Sequence, residues 1–213
     1  MSTKSLKTSK FTSQYYSKKQ TKTQGSTIQL SSKHALSNKT TLTTCLNAVN
    51  EGRENGLKVP VVLMGYYNNF LAHGLRKVCE DSKKKGVDGF IIVDLPPEEA
   101  GDFLKLCDEF HLSLIPLVAP TSTKERVAKL VQMTSSFVYV VSITGVTGAR
   151  TEVSHDASKT VNMVKDVDPD IPVCVGFGVS NRDHVSQLAQ QADGVVVGSA
   201  IVKALGEGGV KQM

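Results

Sequence analysis

The chain has 213 residues, of which 40% are apolar and 21% charged, the balance of a globular domain. No apolar run approaches the ~18 residues of a membrane span. The net charge of +5 belongs to one end: residues 1–50 hold eight lysines and no Asp or Glu, which leaves −3 for residues 51–213 once those eight are subtracted. The first arginine is Arg53, and clustered arginines interleaved with aromatics, the usual nucleic-acid face, are missing. Neither nucleic acid nor a membrane is an expected partner. Cys45, Cys79, Cys107 and Cys174 form no C-x-x-C pair, so the spacing suggests neither a metal site nor a disulfide framework. They read as small core residues in a reducing, cytoplasmic setting.

Residues 1–27 contain twelve Ser or Thr and six Lys and show neither helical nor strand periodicity. Such a stretch buries too little apolar surface to offset its ordering entropy, so it is expected to be a disordered tail. Its Ser content and lack of acids suit an organellar transit peptide, plastid or other, but it has no Arg. The folded domain is expected to span 28–213.

From about residue 34 helices and strands alternate. "HALSNKTTLTTCLNAVNEG" predicts one helix with Leu42, Cys45, Leu46 and Val49 inward. "VPVVLMGYY" predicts a strand, and "FLAHGLRKVCEDSKKKG" a helix burying Leu71, Leu75, Val78 and Cys79. "VDGFIIVDLPP" is a strand stopped by prolines, and "EEAGDFLKLCDEF" a helix with two acids in its first turn. After the strand "LSLIPLVAP", Ser122 and Glu125 form a capping-box pattern, as do Ser180 and Asp183 further on. "SFVYVVSI", "IPVCVGFG" and "GVVVGS" are the last strands, with helices around 155–166, after Ser180, and at "AIVKAL".

Six strands result, at about 60–66, 88–94, 113–118, 136–142, 172–176 and 194–198. Continuous apolar strands between amphipathic helices predict a parallel sheet covered on both faces. Counting alone favours an open sheet, because a full barrel needs eight strands and about 250 residues. The strand ends favour a barrel. "SITGVTGA", "GFG" and "GSA" end the last three strands, where barrels often hold phosphate on backbone N–H groups. Glycine lets the main chain approach an anion. A dinucleotide fold fits less well, since G-x-G-x-x-G is absent and "GFGVSN" lacks the third glycine.

"GFIIVDLPPEEA", "PLVAPTST", "FVYVVSITGVTGA", "VGFGVSNRDHV" and "ADGVVVGSAIV", with "GSTIQLSSKHAL" and "VPVVLMGYYN" upstream, closely resemble the tryptophan synthase α subunit, above all the α portion of fungal-type bifunctional enzymes. The resemblance runs from about Gln24 to Ala204. It implies an α/β fold, here an incomplete (β/α)8 TIM barrel lacking its first two strands. It implies a lyase that cleaves indole-3-glycerol phosphate to indole and glyceraldehyde 3-phosphate in tryptophan biosynthesis. The chain would need no cofactor, pyridoxal phosphate belonging to the β subunit or domain that is its partner. Thr147, Gly148, Gly178, Gly198 and Ser199 would hold the substrate phosphate. Leu63, Tyr66, Ile91, Val93 and Asp94 would line the indole pocket, with Tyr139 in an auxiliary catalytic role.

The departures from the family bear on activity. Family members carry a segment like "LELGIPFSDPLADGPTIQ", whose glutamate moves the proton at the indole carbon and whose "ADG" aspartate supports the indole nitrogen. Here only "GSTIQ" matches, the aspartate position is Gln24, and the region of the glutamate is Ser/Thr/Lys tail. The loop arginine of "SR-x-GVTG" is Ile143, and the long last helix gives way to "GEGGVKQM". Three readings follow: the lyase of the family, an inactive remnant or gene-model fragment that keeps phosphate binding, or another phosphate-binding barrel enzyme such as an isomerase.

Overall fold

The structure is a computed structural model that describes residues 26–141, 153–176, 179 and 181–208. The expected tail lies outside the described residues except for Ser26 and Thr27, which already belong to a helix. The described elements are α1 (Ser26–Ser37), α2 (Leu42–Glu54), β1 (Val62–Gly65), α3 (Tyr67–His73), α4 (Leu75–Lys85), β2 (Gly89–Ile92), a 3₁₀ turn (Pro97–Glu99), α5 (Gly101–Glu109), β3 (Ser113–Ile115), β4 (Leu117–Val118), α6 (Lys124–Val131), β5 (Val138–Val141), α7 (Val153–Lys165), β6 (Val173–Gly176), α8 (Arg182–Leu188), β7 (Gly194–Val196) and α9 (Ser199–Gly208). Two compact units divide the chain. Of the described residues, Ser26–Thr40 and Ser199–Gly208 belong to one, in which α1 packs on α9; those of Thr41–Gly198 belong to the other, which carries every described strand.

Local chemistry explains where the elements break. The helix expected across 34–52 is two helices. Lys39 takes a left-handed φ of 57° and Thr41 opens α2, its hydroxyl accepting from the Thr44 N–H while the Thr44 hydroxyl accepts from the Thr41 N–H. This reciprocal cap satisfies two otherwise orphaned donors. Cys45, expected inward, is exposed, and Leu46 carries the burial. Gly74, at φ 91°, splits the next expected helix into α3 and α4 and leaves Leu71 exposed. Both capping boxes move by one residue. Thr123 and Asn181 are the caps, accepting from Arg126 N–H and His184 N–H, while Ser122 Oγ accepts from Ala119 N–H. The acids Glu98 and Glu99 sit in the 3₁₀ turn rather than in the first turn of α5.

All strand pairs are parallel. The expected strand 113–118 is divided at Pro116, which has no N–H to donate. Its first half pairs with β2 and its second with β5, while the Pro116 carbonyl still accepts from Tyr139 N–H. The strands therefore run β1–β2–β3/β4–β5–β6–β7 in sequence order. A doubly wound sheet reverses its order at a switch point; this one does not. Register assigns the faces. Leu63, Phe90 and Leu114 align on one face, as do Val118, Val140 and Val175. These residues join the helices in two apolar clusters. The other face, with Met64, Ile91, Ile115, Leu117, Tyr139 and Cys174, belongs to neither cluster. The helix packing is thus one-sided, which corrects the expectation of a sheet covered on both faces and is the arrangement of a (β/α) barrel.

One device recurs at the N-terminal ends of the strands. In "VDGF" the Asp88 carboxylate accepts from Val61 N–H and from Arg53, and the Asp88 N–H donates to the Val61 carbonyl. In "ADGV" the Asp193 carboxylate accepts from Val173 N–H and pairs with Lys165, and the Asp193 N–H donates to the Val173 carbonyl. The glycine after each aspartate is needed for close approach: a Cβ on Gly89 would strike the Ser113 carbonyl oxygen, and one on Gly194 would lie 2.7 Å from Cys174 Sγ. The Val173 N–H first, and Lys165 second, hold the Asp193 carboxyl below its ordinary 3.8. Because the folded value is the lower one, this contribution is whole above pH 3.8 and is lost as pH falls through the folded value. Asp193→Asn is expected to flatten the acid limb of a stability–pH curve measured by urea unfolding. Its cost at neutral pH should be about 1 kcal/mol, since the group is half-exposed and screened. An unchanged acid limb would show that the carboxylate does not hold the β6–β7 junction.

Candidate functional site

With every strand parallel, the C-terminal ends share one side of the sheet. β1 ends at Gly65 and passes through Tyr66 into α3. β2 ends at Ile92 and passes through Val93 and Asp94. The Val93 N–H donates to the Gly65 carbonyl at 3.0 Å and the Asp94 Oδ1 accepts from Tyr67 N–H at 2.7 Å. Asp94 thus ties the end of β2 to the first turn of α3, and one lone-pair direction of its carboxylate is committed to that tie. Tyr66 and Val93 follow Met64 and Ile91 by two residues, at the rim above the inner face.

The expected pocket residues are not all brought together. Ile91 lies on the inner face, in register with Met64 and Ile115. Leu63 is in register with Phe90 on the opposite face and packs against the helix-side cluster. The period-2 alternation of a strand separates them. Met64, 58% exposed, holds the position next to Ile91. Sequence reasoning missed it, because in the run "VVLMG" every residue is apolar and alternation is invisible. Ile115 and Leu117, two residues apart across Pro116, were also missed.

Tyr139 points along the inner face towards β6. A Cβ built on Gly176 would lie 2.8 Å from the Tyr139 hydroxyl oxygen and 2.6 Å from Val196 Cβ. The glycine is therefore the seat of the tyrosine ring. Burial first, and the neighbouring Cys174 second, push the Tyr139 phenol above its ordinary 10.0. At neutral pH it is a neutral hydrogen-bond donor and not a proton acceptor. Gly176→Ala is expected to cost about 1–3 kcal/mol by overpacking. Adding Tyr139→Phe removes the hydroxyl collision and leaves the Val196 Cβ and the ring Cε2 at 3.0 Å, so a double-mutant cycle in urea should show a relief of ~0.5 kcal/mol or more. Strict additivity would place the ring elsewhere.

Of the expected phosphate residues, Thr147, Gly148 and Gly178 lie outside the described residues. Gly198 ends the strand-bearing unit, exposed, with open space where a Cβ would stand. Ser199 is the first residue of α9. Among the described residues no group of three His, Cys, Asp or Glu could hold a metal, and no helix is long and apolar enough to cross a membrane.

Known proteins resemble this chain in sequence and in fold. The family model described as tryptophan synthase alpha chain matches residues 21–212. The tryptophan synthase of Saccharomyces cerevisiae is 47% identical over 183 residues, which is 86% of this chain and 26% of that protein. The tryptophan synthase alpha chain of Geobacter sulfurreducens is 49% identical over 179 residues, 84% of this chain and 67% of that one. Among solved structures, the tryptophan synthase α2β2 complex of Pyrococcus furiosus aligns with TM-score 0.80 at 41% identity, covering 88% of this chain and 75% of that chain. The ligand-free tryptophan synthase of M. tuberculosis aligns with TM-score 0.79 at 39% identity, covering 88% and 70%. The chain thus spans about a quarter of the yeast protein and two thirds to three quarters of the alpha chains. Sequence-ordered parallel strands, helices on one face, glycine-bearing strand ends and a match over nearly the whole length have one common explanation: this chain belongs to the tryptophan synthase alpha chain family.

Proposed function

We propose that this chain serves the α reaction of tryptophan biosynthesis, holding indole-3-glycerol phosphate for cleavage to indole and glyceraldehyde 3-phosphate. The observation that carries this reading is the inner face, where Met64, Ile91, Ile115, Leu117 and Tyr139 offer an apolar wall with one buried phenol. A flat indole ring suits such a wall, and the phenol can donate to a polar atom without taking a proton. Asp94, tied to Tyr67, sets the rim. The phosphate would rest on the backbone of Thr147, Gly148, Gly178 and Gly198 at the last strand ends, where an anion is expected in barrels. The family's alpha chain carries no pyridoxal phosphate; that group belongs to the β subunit. The proposed partner is a β subunit or domain that takes the indole, by analogy with the α2β2 relatives. A cytoplasmic setting suits the four free thiols.

A second reading is favoured by one observation. Residues 1–50 contain no carboxylate, and Gln24 stands at the aspartate position. By themselves these 213 residues would bind the substrate without turning it over.

The test is calorimetric titration with indole-3-glycerol phosphate and with glycerol 3-phosphate. Both should bind, and Gly198→Asp should abolish both, because it adds bulk and like charge where the backbone must meet the phosphate. Retained phosphate binding by Gly198→Asp would move the anion site away from the β7 end.

A further inference from the structure

α3 has only seven residues, too few for a helix to stand on its own hydrogen bonds. Its sequence places Tyr67, Phe70 and His73 at intervals of three, on one face. These are the residues of α3 turned from solvent. Phe70 is buried and Tyr67 and His73 are half-buried, while Asn68, Asn69, Leu71 and Ala72 are exposed. Each of the three makes a tie of its own. The Tyr67 N–H donates to Asp94 Oδ1 at 2.7 Å. The Phe70 ring meets Phe90 of β2 at 5.4 Å and Phe103 of α5 at 6.1 Å between centroids. The His73 Nε2 lies 2.8 Å from Asp81 Oδ2 on α4, with the two side chains 17% and 31% exposed.

The last tie crosses the break at Gly74, φ 91°, where the chain leaves α3 for α4. Glycine is free over a wide backbone range, so the angle between the two helices leans on side chains. Lys77 also holds Asp81, at 2.9 and 3.2 Å, but both stand on α4 one turn apart and their bond crosses no break. His73 first, and Lys77 second, hold the Asp81 carboxyl below its ordinary 3.8. At neutral pH it is a charged acceptor, so the His73 Nε2 is the donor, as it is in the imidazolium and in one neutral tautomer.

We propose that His73 is a positioning residue for the rim of the candidate site: its bond to Asp81 fixes the C-terminal end of α3 and thereby keeps the Tyr67 N–H, at the other end, on Asp94. Without it α3 pivots on the buried Phe70 ring, because His73 and Tyr67 stand three residues to either side of that ring. Asp94 then loses the donor that orients its carboxylate, and Tyr66, which precedes Tyr67 at the rim, moves with it. The consequence for indole-3-glycerol phosphate rests on the function proposed above; the coupling of His73 to Asp94 does not.

The experiment uses the whole chain. NMR follows amide hydrogen exchange at Tyr67 without ligand, with Val140 in the middle of β5 as reference. His73→Leu keeps bulk without a donor, and Asp81→Ala removes the acceptor from the other helix. Each should speed exchange at Tyr67 roughly tenfold relative to Val140, the loss of one hydrogen bond to a charged group. His73→Gln, which keeps a donor at similar reach, should restore most of the protection. Lys77→Met cuts only the bond within α4 and should change nothing. In calorimetric titration the two damaging variants should weaken binding of indole-3-glycerol phosphate and leave glycerol 3-phosphate as it was. Should His73→Leu fail to fold, Asp81→Ala decides. Unchanged exchange at Tyr67, equal acceleration by Lys77→Met or by His73→Gln, or faster exchange with indole-3-glycerol phosphate bound as before overturns the proposal. A chain that binds neither ligand overturns the proposed function instead, and Tyr67 exchange still decides the role of His73.

Discussion

Purified as the 213-residue polypeptide, the chain is expected to release indole from indole-3-glycerol phosphate at least ~10²–10⁴-fold more slowly than a full-length alpha chain, the usual loss when a proton-transfer group is missing. Cleavage requires a proton at the indole carbon and a base for the glycerol hydroxyl. Residues 1–50 offer no carboxylate, and Gln24 cannot titrate. Asp94 is committed to the Tyr67 N–H, and Glu98 pairs with Lys129 and Arg126. The Tyr139 phenol sits above 10.0 and stays neutral at pH 7. Phosphate contacts bind substrate and transition state alike, which lowers KM without lowering the barrier. An indole-release assay at saturating substrate checks this, run beside a graft that restores a β-α-β segment with "ELGIPFSDPLADG". Turnover by the graft alone supports the account; equal turnover by both means that a carboxylate such as Glu98 or Asp94 has taken the role.

Phe103→Ala should be the most damaging single core substitution, at about 3–5 kcal/mol. Phe103 is fully buried on the inward side of α5. Its ring meets Phe90 of β2 at 5.5 Å, Phe70 of α3 at 6.1 Å and Tyr67 at 6.3 Å between centroids. Truncation opens a cavity between two rings of α3, Tyr67 and Phe70, and one of β2, Phe90, which the parallel strand and its helix hold in place. It also loosens Tyr67, whose N–H holds Asp94. Urea unfolding gives the cost. A loss below about 1 kcal/mol would mean that these rings repack freely and that the site rim does not depend on them.

Much of the fold was legible because apolar runs between amphipathic helices mark buried parallel strands, and the β1, β2, β5, β6 and β7 strands fall where those runs stand. Breaks were illegible where one residue's backbone decides. Lys39 and Gly74 take positive φ values that helical periodicity ignores, and Thr123 outcompetes Ser122 for a cap one residue apart. The faces of β1 were illegible for another reason. A strand apolar at every position carries no period, so only pairing with β2 reveals that Met64, and not Leu63, shares a wall with Ile91. The aspartates of "VDGF" and "ADGV" read locally as turn residues. Their partners, Val61 and Val173, lie 27 and 20 residues away and become neighbours only across the ladder.

The central claim is that the C-terminal strand ends hold one phosphate. Amide chemical shifts followed by NMR during titration with glycerol 3-phosphate test it most directly. The account predicts saturable shifts concentrated at Gly148, Gly178 and Gly198, lost in Gly198→Asp, with Gly89 and Gly194 at the opposite ends of their strands unmoved. Shifts centred on Gly89 and Gly194, or no saturable shift at the three glycines, would contradict it.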